Sequence, residues 1–263
     1  MDFTLTKYKQ LLSTLQQQGF SFQTFEQFLK EPASKSIVLR HDVDLLPYNS
    51  LAFAKIQAER GIIGSYFFRA VPESWDEQVI KEIANLGHEI GYHYENLTTC
   101  NGDIDKAYKD FTINLEKLRK LASVSTICMH GSPRSKWDSK DMWKKYNYRD
   151  LGIIGEPYFD VDFDNVFYLT DTGRRWDGWK VSLRDKVPQQ ERWVKEGLAF
   201  HSTQDIIDFM KNSKVLSGVE VPDKIMFTFH PQRWNDKALP WMKELVWQRL
   251  KNIGKGVLVG IRK

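Results

Sequence analysis

The sequence predicts an α/β protein with parallel strands, and two observations support this class. From residue 36 onward, short apolar runs typical of buried strands alternate with amphipathic segments typical of helices. Successive strand starts lie about 25 to 38 residues apart, which is the spacing of strand–helix units in a parallel sheet. No Pro/Gly/Ser-rich linker and no internal repeat divides the chain, so we expect a single domain over residues 1–263.

The elements are predicted in chain order from these patterns. Residues 1–35 contain two short amphipathic helices, which we expect to pack on the larger part of the chain as an N-terminal helical extension. The predicted strands are 37–39, 62–68, 89–93, 127–130, 166–170 and 225–230. The predicted later helices are 49–60, 76–86, 104–122, 206–210 and 239–251, and residues 131–192 are expected to be mostly loop.

Composition excludes several classes of protein. The chain has 38 Lys and Arg residues against 34 Asp and Glu residues, without the clustered basic stripe of a nucleic-acid-binding protein. No apolar run reaches the roughly 18 residues of a transmembrane segment, and the first residues lack a signal-peptide pattern. The two cysteines form neither a disulfide framework nor a CxxC pair. We therefore expect a cytoplasmic protein without a nucleic-acid partner.

The first predicted strand runs into the sequence RHDVD at residues 40–44. Alternate residues of an extended segment share a face, so Arg40, Asp42 and Asp44 are expected on one side. Two neighbouring carboxylates both stay ionised only if a cation lies between them, and either Arg40 or a divalent metal could supply that charge. The alternative interpretation is that an aspartate caps the next helix with Arg40 as its partner.

Histidines follow three of the later predicted strands. His93 is a candidate metal ligand, because neutral imidazole binds zinc well and the carboxyl ends of parallel strands carry the active sites of α/β folds. His130 and His230 also follow apolar strands, although either one alone could be structural. His88 lies ~16 Å before His93 at ~3.3 Å per residue, so we expect a structural role for it. His201 precedes a predicted helix start and is assigned no chemistry.

The second half offers candidates for binding substrate. The triplet Asp171-Thr172-Gly173 echoes the aspartic proteases, but that chemistry needs two aspartates sharing a proton, so a turn is predicted. Arg174 follows this turn and could lie on the substrate side, as could Arg40. Four tryptophans have polar neighbours in the sequence and could form either a sugar-stacking platform or part of the core: Trp137, Trp176, Trp179 and Trp234.

With these residues in place, the chain resembles the polysaccharide deacetylase superfamily, carbohydrate esterase family 4 and its relatives, as a divergent member. Residues 87–93 match the family motif Gly-His-Glu-Ile-Gly-x-His residue for residue. The aspartates of RHDVD, the strand at 61–68 and Phe229-His230-Pro231 match further motifs, so the resemblance covers roughly residues 36–230. It implies a distorted (β/α) barrel, usually of seven strands, that binds one divalent metal, most often Zn²⁺.

The resemblance also implies roles for individual residues. Asp42 would be the general base, Asp44 and His93 would be metal ligands, and His230 would be the general acid. The family usually has another metal-binding histidine four residues after the position of His93.

That position is Leu97 here, and a leucine cannot bind metal. His130 is our first candidate for the missing third ligand, because its strand should neighbour the strand of His93. Glu95 is the alternate candidate, and Cys100 is a distant third.

These assignments predict a metal-dependent hydrolase that removes N-acetyl groups from an amino sugar, in a glycan or in a glycan precursor such as a lipid-linked or nucleotide-linked sugar. A metal with three protein ligands keeps a position for water and lowers the pKa of that water towards ~7. Two alternatives remain open. One is hydrolysis of another C–N bond, such as that of a cyclic amide or imide, and the other is a non-catalytic barrel that only binds glycans.

Overall fold

The computed structural model describes residues 1–131, 135–178, 187–216 and 219–261. The chain divides into two compact units. Unit 1 comprises Met1–Ser21, Ala33–Ile37 and Asp162–Lys263, and unit 2 comprises Phe22–Pro32 and Val38–Val161. The single domain predicted over residues 1–263 stays a prediction.

Strands and helices alternate along most of the chain. The strands are β1 (Ser21–Gln23), β2 (Ser36–Val43), β3 (Ser65–Phe68), β4 (Glu89–Tyr94), β5 (Ile127–Met129), β6 (Phe167–Thr170) and β7 (Lys224–Phe229). The helices are α1 (Leu5–Gln17), α2 (Phe25–Lys30), α3 (Pro47–Ala58), α4 (Glu77–Asn85), α5 (Asn96–Thr99), α6 (Ile104–Arg119), α7 (Pro157–Asp160), α8 (Gln190–Lys195), α9 (Thr203–Leu216) and α10 (Ala238–Ile261).

The sheet of unit 2 is parallel, with β3 between β2 and β4, and with β5 on the other side of β4. Its strands are buried throughout, as expected of a parallel sheet covered by helices. Two of the helices between these strands begin at aspartate N-caps: Asp76 accepts a first-turn N–H of α4, and Asp103 accepts one of α6. Gly87 has a φ of 88° and ends the turn after α4, two residues before β4 begins.

Unit 1 contains the parallel pair β6 and β7, and α1 packs against α9. Its core is aromatic: Tyr8 and Trp176 contact Phe229, and Trp234 contacts all three of these rings. Among the helices of the described ranges, none is both long and apolar enough to cross a membrane.

The α/β class with parallel strand–helix units, as in a (β/α) barrel, is confirmed. One predicted strand is too long, because residues 62–64 lie outside β3. The reason is that the Gly64 N–H donates to the imidazole Nδ1 of His88, 3.1 Å away. This N–H is therefore bonded to a side chain and not to the backbone of a neighbouring strand. Residues 131–192 are less irregular than expected, since besides the predicted strand, which is β6, they contain α7 and the start of α8.

Candidate metal centre

Polar side chains meet at the carboxyl ends of β2, β4 and β5. Asp42 is the second-last residue of β2. It pairs with Phe67 on β3, and Phe67 pairs with Gly91 on β4. A Cβ at position 91 would lie 2.4 Å from the Phe67 ring, so only glycine leaves room for this buried ring. The row of paired residues 42, 67 and 91 comes directly before the polar cluster.

Asp44, His93 and His130 converge beyond that row. The Oδ1 atom of Asp44 lies 3.6 Å from the Nε2 atom of His93 and 3.6 Å from the Nε2 atom of His130. The candidate ligand atoms all lie within 4.8 Å of one another. Ligands held at zinc distances from one tetrahedral ion are separated by roughly 3.4 Å, so these spacings are close to those of a metal site.

Both imidazoles have their outer nitrogen engaged. The Nδ1 atom of His93 lies 2.9 Å from the Cys128 carbonyl oxygen, to which its N–H donates. The Nδ1 atom of His130 lies 2.9 Å from Oε2 of Glu95. Metal-binding histidines are held by such contacts, which leave the lone pair of Nε2 for the ion. Two imidazole nitrogens and one carboxylate oxygen fit a divalent ion such as zinc, and these three residues would hold it.

Glu95 is a partner of His130 in this arrangement. Its Oε1 atom accepts hydrogen bonds from Nε and Nη2 of Arg69, at 2.8 and 2.6 Å, and its Oε2 atom faces His130. Arg69 also donates to the Asp44 carbonyl oxygen at 3.0 Å, which links the ends of β2 and β4. Because both carboxylate oxygens are already engaged, this geometry does not favour Glu95 as the alternate third ligand. Cys100 lies in neither group of candidate ligands found among the described residues.

The charges in this network shift two pKa values. Burial raises the pKa of Glu95, but the hydrogen bond and charge of His130, together with Arg69, outweigh burial and lower it to about 2. Burial lowers the pKa of His130, but the Glu95 hydrogen bond and the charges of Asp44 and Glu95 raise it above its ordinary value. Glu95 is therefore a carboxylate at neutral pH, which strengthens its hydrogen bond to His130.

We expect Glu95→Gln to weaken metal binding. The glutamine is similar in size but uncharged, so it holds the His130 ring less firmly. Loss of such an outer partner typically costs about 10- to 100-fold in metal affinity. The measurement is competition for zinc against a chromophoric chelator. Glu77→Gln, at an exposed position on α4, is the control. Equal affinities for the Glu95 variant and the parent would contradict this role.

Asp42 lies beside the three candidate ligands but is bound to Arg40. The guanidinium donates from Nε to Oδ1 at 2.8 Å and from Nη2 to Oδ2 at 2.6 Å, and both residues are buried. The Oδ2 atom lies 3.7 Å from Nε2 of His93. Arg40 is thus sequestered with Asp42 and faces the Tyr158 ring, and its predicted contact with substrate stays a prediction.

A second group of candidate ligands consists of Asp42, His93 and Cys128. Both oxygens of the Asp42 carboxylate already accept hydrogen bonds from the Arg40 guanidinium, so a metal ion at Asp42 would compete with that cation. The group containing Asp44 and His130 is therefore the better candidate for a metal.

Sequence reasoning missed Glu156, which is fully buried. Its carboxylate accepts the Met129 N–H at 3.0 Å and the Tyr158 N–H at 2.6 Å, and it caps α7. Burial raises the pKa of Glu156 to about 7, against the opposing effects of these two N–H groups and of the Arg40 charge. A local sequence pattern could have identified Glu156 as a helix cap, because a carboxylate directly before a proline such as Pro157 is typical of a helix start.

Glu156 gives a testable pH dependence. The folded protein keeps a proton on Glu156 where the unfolded chain has lost it, so the free energy of unfolding falls as the pH rises from about 4.5 to about 7. The full effect is about 3 kcal/mol. Glu156→Gln should remove this decline, as measured by urea unfolding across the pH range, with Glu77→Gln as the control. Parallel pH profiles for the Glu156 variant and the parent would contradict the assignment.

In unit 1, His230 follows β7 and is held by Asp171. The Nδ1 atom of His230 lies 2.6 Å from Oδ1 of Asp171, and its backbone N–H donates to Oδ2 at 3.0 Å. Arg233 and the Trp234 indole N–H also donate to this carboxylate. Burial raises the pKa of Asp171, but the charges of His230 and Arg233 outweigh burial and hold it below its ordinary value. Asp171 directly follows β6, so it also satisfies the rule that functional residues lie at the carboxyl ends of parallel strands.

Three residues of unit 1 that were predicted to contact substrate have buried side chains. Trp176 and Trp234 are 2% and 1% exposed, and their indole N–H groups donate to Thr203 and Asp171. Arg174 is buried as well and donates to the Trp241 carbonyl oxygen. These side chains belong to the aromatic core, so they form no surface platform for sugars. Trp137 is partly buried, and Trp179 lies outside the described residues.

Comparisons with known proteins give structural matches only. No family model and no curated protein matches the chain. It is similar to a Streptococcus mutans esterase of carbohydrate esterase family 4, at 13% identity over 89% of this chain and 87% of that chain, with a TM-score of 0.45. It is similar to Bacillus subtilis PdaA, a family 4 carbohydrate esterase, at 15% identity over 92% and 84%, with a TM-score of 0.37.

A third similar structure is a family 4 pseudoenzyme from Bacillus anthracis, at 14% identity and a TM-score of 0.43. The match spans 86% of this chain and 63% of the pseudoenzyme chain, which is therefore considerably longer than the region matched. Two of these three structures are thus of esterases, and one is of a pseudoenzyme.

Proposed function

We propose that this chain is a metal-dependent hydrolase that removes the N-acetyl group from an amino sugar of a glycan or glycan precursor. The observation that supports the proposal is the convergence of Asp44, His93 and His130, with the Asp42 carboxylate beside them. In the proposal these three residues hold one divalent ion, with zinc the first choice, because zinc accepts imidazole nitrogen and carboxylate oxygen together. A bound ion supplies Lewis acidity, which polarises an amide carbonyl and lowers the pKa of a nearby water.

The residues of unit 2 would then hold the ligand side chains in position and remove a proton from the attacking water. Asp42 accepts the proton of the water that attacks the acetamide carbon, and Arg40 keeps Asp42 ionised and aligned through its two hydrogen bonds. Glu95 and the Cys128 carbonyl hold the two imidazole rings in place. A new C–O bond forms at the carbonyl carbon, and the C–N bond to the sugar breaks.

The departing amine needs a proton, and His230 is the predicted donor. Its Nδ1 atom lies 2.6 Å from Oδ1 of Asp171, and this contact fixes the orientation of the imidazole ring. The products are acetate and a free amino sugar.

Leu97 supports a second candidate function, hydrolysis of another C–N bond such as that of a cyclic amide or imide. It is a buried residue of α5 and stands where the resemblance implies a ligand histidine. A changed ligand set alters the shape and charge around the ion, and these properties decide which amide is accepted.

The test uses the full chain stripped of metal with a chelator and reloaded with zinc. We expect acetate release from N-acetylglucosamine oligomers only after reloading. Asp44→Ala should lose both the metal and the acetate release, because a catalytic zinc site typically needs three protein ligands. Asp105→Ala, at an exposed position on α6, is the control and should behave as the parent.

The possible outcomes separate the candidates. Bound zinc without acetate release, but with hydrolysis of a cyclic amide or imide, would favour the second function. Failure of the parent chain to bind zinc would contradict both functions. Full metal content in Asp44→Ala would contradict the ligand assignment.

A further inference from the structure

Helix α10 presents an apolar face to solvent. Five of the ten exposed large hydrophobic residues among the described side chains lie on this helix, with exposed fractions from 49% to 76%. They are Leu239, Met242, Val246, Trp247 and Leu250, which we call the outer face of α10. Apart from the adjacent pair Val246 and Trp247, they are three or four residues apart, which places them on one side of an α-helix. Contiguous apolar patches of this kind mark interaction sites on soluble domains.

The opposite side of α10 attaches it to unit 1. The Trp241 indole N–H donates to the Asp2 carbonyl oxygen at 2.7 Å, and the Asn252 side chain donates to the Gly173 carbonyl oxygen at 3.0 Å. Gln248 lies between them and is buried. The packing of α10 on its own unit is therefore made by the side that carries Gln248 and Asn252, and the outer face takes no part in it.

The charge around the outer face is positive. Residues 237–252 contain four Lys and Arg residues and one acidic residue, Glu244. Lys243 falls within the outer face by helical position. Lys251 borders it, with its Nζ atom 5.1 Å from the centroid of the Trp247 ring. An apolar helix face with a tryptophan and flanking cations is typical of helices that lie on membrane surfaces.

We propose that the outer face of α10 docks on a lipid bilayer that contains anionic lipids. The helix lies parallel to the surface, with its apolar side chains in the boundary between headgroups and acyl chains. Lys243, Arg249 and Lys251 lie near the lipid phosphates, and the Trp247 ring sits at the level where tryptophans are enriched in membrane proteins. A second copy of this chain is a poorer occupant, because a two-fold contact through this face would bring the same cations of both copies together.

The test is co-sedimentation of the full chain with two kinds of vesicle. One contains phosphatidylcholine alone, and the other contains phosphatidylcholine with about 30% phosphatidylglycerol. We expect the chain to bind the vesicles that contain phosphatidylglycerol. Its affinity should be at least about tenfold lower for vesicles of phosphatidylcholine alone. High salt should lower its affinity for the anionic vesicles by at least about tenfold as well, because salt screens the lipid charge. Failure to bind anionic vesicles, or equal binding to both kinds, would overturn the proposal.

Variants separate the apolar and the cationic parts. Trp247→Gln combined with Leu250→Gln should weaken binding to anionic vesicles by at least about tenfold, since both side chains leave the apolar boundary. Lys243→Gln combined with Lys251→Gln should weaken it roughly fivefold or more, through loss of attraction to the lipid charge. Ile113→Gln, at an exposed apolar position on α6, is the matched control and should bind as the parent.

Circular dichroism of each variant checks that the fold is kept, which we expect because every replaced side chain is exposed. Unchanged vesicle binding by the Trp247/Leu250 variant would overturn the assignment to α10. Sedimentation velocity tests the competing occupant: a dimer of the parent that this variant dissociates, together with no vesicle binding, would identify the outer face as an interface between copies.

Discussion

Replacing His130 with alanine should abolish high-affinity metal binding while leaving the chain folded. The side chain is one of three that converge on the candidate site, and its Nε2 atom lies 3.6 Å from Oδ1 of Asp44. Without it, only Asp44 and His93 remain of the three protein ligands that catalytic zinc typically uses. The loss should exceed the roughly 10- to 100-fold expected for an outer partner such as Glu95.

Zinc content after dialysis against a buffered zinc solution measures this effect, and acetate release should fall to background in parallel. His201→Ala is the control, because the His201 side chain is 70% exposed on unit 1 and belongs to neither group of candidate ligands. Retention of full zinc content by His130→Ala would show that the third ligand lies elsewhere. In that case Glu95 becomes the next residue to replace.

The sequence predicted which side chains meet at the candidate site, because the rule behind the prediction depends on strand direction alone. Parallel strands bring their carboxyl ends to one edge of a sheet, so residues following β2, β4 and β5 were expected together. The register places Cys128 beside His93, and the His130 N–H donates to the Tyr94 carbonyl oxygen. The proximity of His130 to His93 follows from this pairing.

The role of Glu95 could not be predicted in the same way. Its side chain is fixed by Arg69, which follows β3, and by His130, which follows β5. Both contacts join residues distant in sequence, and no local pattern distinguishes a carboxylate that binds metal from one that orients a ligand.

Burial was the other property that sequence patterns described poorly. Trp176 and Trp234 have polar neighbours in the chain, which left a core position and a sugar platform both open, and contacts with residues distant in sequence place both rings in an aromatic core. Asp171 opens the predicted turn, since the Arg174 N–H donates to its carbonyl oxygen, but the sequence did not indicate that four groups inside unit 1 donate to its carboxylate. In each case tertiary packing decided the role of the side chain.

Arg40→Met should destabilise the protein by about 3 to 5 kcal/mol, since it leaves the buried Asp42 carboxylate without its cationic partner. Asp42→Asn should cost a comparable amount by leaving the guanidinium uncompensated. The double variant should be destabilised by much less than the two single variants together, because no buried charge is then left unpaired. Urea unfolding of the four proteins measures this coupling, and strictly additive losses would contradict the pairing of Arg40 with Asp42.

Zinc content in the same variants distinguishes the two possible ligand groups. If Asp44, His93 and His130 hold the ion, Asp42→Asn keeps its zinc and loses acetate release, because the residue that accepts the proton has lost its charge. If Asp42, His93 and Cys128 hold it, the zinc is lost with the carboxylate. The bidentate contact with Arg40 favours the first result, since a carboxylate whose two oxygens already face a guanidinium gains least from a second cation. We therefore expect folded Asp42→Asn, at a temperature well below its unfolding midpoint, to contain as much zinc as the parent.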